Sequence, residues 1–80
     1  MRTFKNVTGT GNVAAMIVEV ADCPHSMAGK AHAQLRARLS NGVETAKAGN
    51  YHPTREAAEA QAQGWLDTLT ADARFQEEVA

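Results

Sequence analysis

From Lys30 to Leu39 the chain alternates polar and apolar residues without a break (K-A-H-A-Q-L-R-A-R-L), and this decapeptide restricts the fold more than any other stretch. Successive side chains of a strand point to opposite faces, whereas a helix would mix the two sets around its axis. As a strand, the segment turns Ala31, Ala33, Leu35, Ala37 and Leu39 toward a core and Lys30, His32, Gln34, Arg36 and Arg38 away from it. Ser40-Asn41-Gly42-Val43 follows at once, and Asn-Gly is the dipeptide best suited to the two positive φ angles of a type I′ hairpin turn. With Asn41 and Gly42 as the loop, Ser40 pairs with Val43, Ala37 with Ala46, Arg36 with Lys47 and Leu35 with Ala48. The hairpin then has one alanine-rich face and one basic face. Glu44 falls on the same side as Leu39, an awkward position, and Arg36 opposes Lys47. That like-charge pair matters on a cross-strand scale of roughly 0.2 to 1 kcal/mol, and an anionic group would relieve it.

The flanking segments read as partners for this strand. Arg2 to Thr8 is a short polar strand closed by the two-glycine turn Thr8-Gly9-Thr10-Gly11. Asn12 to Asp22 holds the densest β-branched cluster and no charge before Glu19, as expected of a central strand with both faces partly covered. Met16, Val18 and Val20 share one side of it; Val13, Ala15, Ile17 and Glu19 share the other. Cys23 to Gly29, with proline and glycine near its ends, is a loop, and Val43 to Tyr51 is the return strand of the hairpin. His52-Pro53-Thr54 then starts a helix, with Thr54 as N-cap and Glu56 in the first turn, where the helix dipole favours a carboxylate. Ala58, Ala62, Trp65, Leu66 and Leu69 form its apolar stripe, and Glu56, Glu59, Gln63 and Asp67 its wet face. Thr70-Ala71-Asp72 resembles a second cap, so Ala71 to Val79 is either a short second helix docked through Phe75 and Val79 or a continuation of the first. The expected fold is α+β: a single domain over 1–80, with an antiparallel three- to four-stranded sheet, the C-terminal helix on one face, and the other face open.

Composition limits what such a fold can do. Hydrophobic residues make up 44% of the 80, but 16 of them are alanine, so large apolar groups are few and the core is thin. A thin core leaves little room for a substrate pocket, and it favours close helix-on-sheet packing or a partner that buries what the monomer leaves exposed. Cys23 is the sole cysteine, which rules out an intrachain disulfide. No basic region followed by an apolar signal core stands at the N-terminus, and the longest apolar run, Val13 to Val18, is too short to span a bilayer. A cytoplasmic protein with no membrane partner is expected. The net charge of -1 conceals an asymmetry: residues 1–51 carry six basic and three acidic side chains, residues 52–80 two basic and six acidic.

No catalytic constellation stands out, so no enzyme and no cofactor are expected. Cys23 and His25 flank a proline but have no orienting carboxylate or oxyanion donor, and His25, His32 and His52 lack the spacing of a metal site. Gly9-Thr10-Gly11 lacks the lysine and hydroxyl residue of a phosphate loop. The candidate contact surface is the basic sheet face: Arg36, Arg38, Lys47, Lys30 and His32, with Tyr51 beside them. It reads either as a solvated hairpin surface or as one that binds phosphates or acidic side chains. Glu56, Glu59 and Asp67 give an alternative, acidic surface on the helix.

Two resemblances bear on function. The stretch from Leu35 to Ala62 resembles the hairpin-then-helix unit of small β-β-β-α domains and of the arm-binding domains of tyrosine integrases, with Tyr51 as the aromatic strand end and Thr54-Arg55-Glu56-Ala57 as the helix start. That resemblance implies a sheet entering the DNA major groove through Arg36, Arg38 and Lys47. In size, sheet-plus-helix plan, absence of catalytic motifs and split charge, the whole chain is similar to the stand-alone anti-CRISPR proteins of phages and mobile elements. The likeness implies a non-enzymatic inhibitor in a bacterial host, directed at a type I system, with type I-C as the first candidate subtype. Such a protein binds a subunit of the surveillance complex (Cascade) and stops it engaging target DNA. A small nucleic-acid-binding module is the second expectation.

Overall fold

The computed structural model describes residues 1–23 and 30–78. In chain order its elements are β1 (Arg2–Asn6), β2 (Val13–Asp22), β3 (Ala31–Leu39), β4 (Glu44–His52), α1 (Arg55–Ala71) and β5 (Phe75–Glu77). The strands form one antiparallel sheet in the order β4-β3-β2-β1-β5, with α1 packed on one face. The α+β class is as the sequence implies, but the sheet has five strands rather than three or four.

The added strand stands where the sequence implied either a short second helix or a continuation of the first. Thr54 caps α1 as anticipated, its hydroxyl accepting from the Ala57 N–H at 3.2 Å. At the other end Asp72 takes an extended conformation, and its carboxylate accepts the Arg74 N–H at 3.0 Å. The chain therefore turns back instead of winding on, and β5 pairs with the free edge of β1 from Asn6↔Phe75 to Phe4↔Glu77. Arg2 clasps Glu77 through two contacts of 2.7 Å and fixes that edge. The docking expected of Val79 lies outside the described residues.

The core between α1 and the sheet divides by side-chain size. Ala58 meets Ala31 and Ala33, all fully buried, so the first turns of the helix lie low on β3. Further along, Leu66 and Leu69 pack with Phe4 and Val18, joined by the partly buried Met16, Leu35, Trp65 and Phe75. Alanine permits close approach, and the larger residues supply most of the apolar area removed from water. A register shift in β2 between Val13 and Ala15 sets Val13 opposite Leu39. Val13 thus joins Met16, Val18 and Val20 on the helix side instead of sharing a face with Ala15 and Ile17 as the simple alternation implied.

The β1–β2 loop meets the β3–β4 turn where the Ser40 N–H bonds the Asn12 carbonyl at 2.8 Å. The Asn6 amide donates to the carbonyls of Thr10 and Val13 at 3.0 and 2.8 Å, and its oxygen accepts from Thr8. Gly9 and Gly11 supply the positive φ angles this winding requires, 69° and 80°.

Candidate functional site

The face opposite α1 is set by the β3–β4 hairpin, whose turn differs from the expected one. Gly42 alone in this turn has positive φ, 90°, so Asn41 does not occupy a type I′ position. The Gly42 N–H bonds the Leu39 carbonyl at 2.9 Å, the Leu39 N–H bonds the Val43 carbonyl at 2.8 Å, and the Asn41 side chain accepts from the Val43 N–H at 3.0 Å. This is a three-residue connection with glycine at the bulge position, the other hairpin solution open to Asn-Gly. It moves the register by one, giving Arg38↔Glu44, Ala37↔Thr45 and Arg36↔Ala46 in place of Ser40↔Val43, Ala37↔Ala46 and Arg36↔Lys47. A bulge then takes up one residue of β4, Lys47, and Leu35↔Ala48 is restored as the sequence implied.

The chemical consequence is the position of Glu44. The shifted register places it on the open face, where its carboxylate lies 3.0 Å from Arg38 and 3.8 Å from Arg36. Glu44 therefore stands between Arg38 and Arg36, and because Lys47 does not oppose Arg36 the like-charge pair of the simpler register does not form. Arg36 is half-buried; its terminal nitrogen reaches the Met1 sulfur at 3.4 Å. Thr3, Ile17 and Arg36 form one cross-strand row, and Ile17 is only 1% exposed although no helix covers this side. The longer side chains of the face close over it.

At the far end of the hairpin, His32 and Tyr51 are cross-strand partners, and their rings stack at 4.6 Å between centroids with planes 22° apart. Tyr51 remains 61% exposed. The pairing pattern thus brings His32, Arg36, Arg38 and Tyr51 onto one face, while Lys30 is exposed just before β3 and Lys47 is exposed in the bulge. Gly49-Asn50 reads in the sequence as the end of this strand, but Gly49 lies inside β4 beside His32; an isolated glycine within a strand pattern is the signal that points to it.

The alternative acidic surface is largely engaged within the helix and its surroundings. Glu59 binds Arg55 at 3.1 Å, Arg55 also reaches Asp22 at 3.1 Å, and Asp67 accepts from Gln63 at 2.8 Å. Glu56 is exposed in the first turn. Elsewhere the Arg74 guanidinium holds the Asp72 carboxyl down at about 2, and Arg2 lowers that of Glu77.

One open groove of about 350 Å³ runs between the second half of α1, β5 and the Gly9–Gly11 loop, floored by Met16, Leu35, Trp65, Leu69 and Phe75. It is more room than the thin core led us to expect. At its rim Asn6 bonds the loop carbonyls and Arg74 bonds Asp72. Among the described residues no cluster of histidine, cysteine or carboxylate side chains could hold a metal ion, and no helix is long and apolar enough to cross a membrane. Cys23 is half-buried; its suggested partner His25 lies outside the described residues. No protein family, curated protein or solved structure matches this chain.

Proposed function

We propose that this protein is a non-enzymatic inhibitor that docks on a protein partner through its open sheet face. The proposed target is a subunit of a type I CRISPR surveillance complex, which the bound inhibitor keeps from engaging DNA. The observation that carries the docking surface is the exposed Tyr51 stacked on His32, on the same face as the Arg36–Glu44–Arg38 cluster and away from the helix. Tyrosine and arginine are the residues enriched where interface energy concentrates, and mixed charge sets orientation and excludes wrong partners. The choice of target rests on the likeness in size, plan and charge to anti-CRISPR proteins. Co-purification with type I effector subunits at low salt tests it, and failure to associate removes that target.

Direct nucleic-acid binding is the second reading, favoured by Lys5, Lys30 and Lys47, which are exposed and have no ion pair among the described residues. Glu44 weighs against it, because a carboxylate between two guanidiniums diminishes the charge available to phosphates. An electrophoretic shift with random duplex separates the readings. Retardation that Arg36→Glu and Lys47→Glu abolish favours the nucleic-acid module; no retardation favours the protein-binding inhibitor.

A further inference from the structure

Gly49 lies inside β4 with no positive φ, so its backbone does not require glycine, and glycine in a strand interior lowers stability. What it supplies is space. A Cβ at this position would stand 3.1 Å from His32 Nε2, closer than ordinary van der Waals contact. The imidazole therefore lies against the bare backbone of Gly49, and Tyr51 stacks on it at 4.6 Å. One side of the tyrosine ring is occupied by His32, and the residue is still 61% exposed.

We propose that Gly49, His32 and Tyr51 form a preorganised aromatic platform that receives an aromatic side chain from an acidic segment of the partner protein. The proposal deepens the docking reading above and rests on it. An exposed tyrosine held by a stack loses little freedom on binding, which is what makes such a residue an efficient anchor. The charge around the platform sets the partner's chemistry. Lys30 immediately precedes β3 and Lys47 is two residues from Gly49; both are exposed and neither has an ion pair among the described residues. Arg36 and Arg38 share one carboxylate, that of Glu44. Glu19, opposite Gln34, is a second carboxylate on this face; against Lys30, Lys47, Arg36 and Arg38 the surplus remains positive, so carboxylates flanking the inserted ring are complementary and a cationic insert is not. Gly49 acts as a positioning residue, and Tyr51 makes the contact.

The test separates platform from target by using a synthetic probe. A capped peptide Asp-Glu-Phe-Glu-Asp is titrated into the labelled full chain while the ring resonances of His32 and Tyr51 are followed by NMR. The same peptide with alanine at its centre and a single-stranded oligothymidylate of equal length serve as comparisons. The phenylalanine peptide is expected to shift both rings and to bind at least about tenfold more tightly than the alanine peptide, with Tyr51→Ala removing the difference. Gly49→Val, which favours a strand but evicts the imidazole, is expected to leave the fold intact, disperse the ring-current shifts of the stack and weaken the peptide to the level of Tyr51→Ala. Gly49→Ala gives the intermediate displacement. Equal binding of the two peptides, unchanged ring shifts in Gly49→Val, or tighter binding of the oligothymidylate each overturn the proposal. If the peptide binds as expected but no type I complex does, the platform stands and the choice of target fails.

Discussion

On its helix side β3 contributes Ala31, Ala33 and Ala37, all fully buried, whereas on its other side the same strand contributes His32, Gln34, Arg36 and Arg38, none of them fully buried. The two faces are specified differently. The covered face follows from alternation alone, because a one-residue slip would turn every alanine to solvent and every arginine into the core. The open face depends on which β4 residue stands opposite which β3 residue, and that is decided by the turn and the bulge. Glu44 lies among the arginines only because the connection has three residues, and His32 meets Tyr51 only because the bulge at Lys47 restores the frame. The covered face carries the helix contacts; the open face buries Ile17 and Ala15 beneath its longer side chains and leaves Tyr51, Lys30 and Lys47 exposed.

The comparison is broken most forcefully through the core. Phe4→Ala removes a ring that is 1% exposed, with an expected loss of about 3 to 5 kcal/mol in urea denaturation. Arg38→Ala, on the open face, is expected to change stability by no more than about 0.5 kcal/mol in the same measurement. Comparable losses for the two would show that the exposed side chains of the open face matter to the fold as much as the core does. The close helix contact is tested next. Ala33→Leu overpacks the seam with Ala58 and is expected to cost about 1 to 3 kcal/mol, while Ala46→Leu, exposed on β4, is expected to be nearly neutral.

Smaller effects sharpen the picture at the ends of α1. Thr54→Ala removes the acceptor of the Ala57 N–H and is expected to lower stability by about 1 kcal/mol, read as a shift in the urea midpoint. The least effect is the response to acid. Asp72 and Glu77 bind their protons more weakly folded than unfolded, so their ion pairs stabilise the fold at higher pH. For Asp72 the contribution is full above an unfolded value of about 4 and fades as pH falls toward about 2. Both pairs are exposed to water, so the slope is shallow. Thermal midpoints taken down that range should fall less steeply in Asp72→Asn than in the natural chain; equal slopes would remove Asp72 as a contributor.

Much of the fold was legible in the sequence, for reasons that can be traced to particular residues. Lys30 to Leu39 could satisfy its alternation only as a strand with one covered face, and Thr54 with Glu56 marked the helix start. The strand Phe75–Glu77 was not legible, since Phe-Gln-Glu holds no β-branched residue and forms a strand because the β1 edge is there to pair with. The hairpin register escaped because Asn-Gly serves two turn types. The difference lies in the φ of Asn41, where its side chain instead accepts the Val43 N–H. For the candidate site, alternation placed His32, Arg36 and Arg38 together, and the stack on Tyr51 and the role of Gly49 required the register. Asn6, which holds the β1–β2 loop, had no signal beyond its place before a glycine turn.

The most direct test of the division between the two faces is a paired measurement on Tyr51→Ala combined with Lys47→Glu, both exposed positions. Its thermal midpoint and its affinity for an immobilised type I surveillance complex are read beside those of the natural chain. The expected result is a midpoint within a few degrees of the natural value and binding reduced at least about a hundredfold. Undiminished binding in a folded variant would contradict the assignment of the open face as the docking surface.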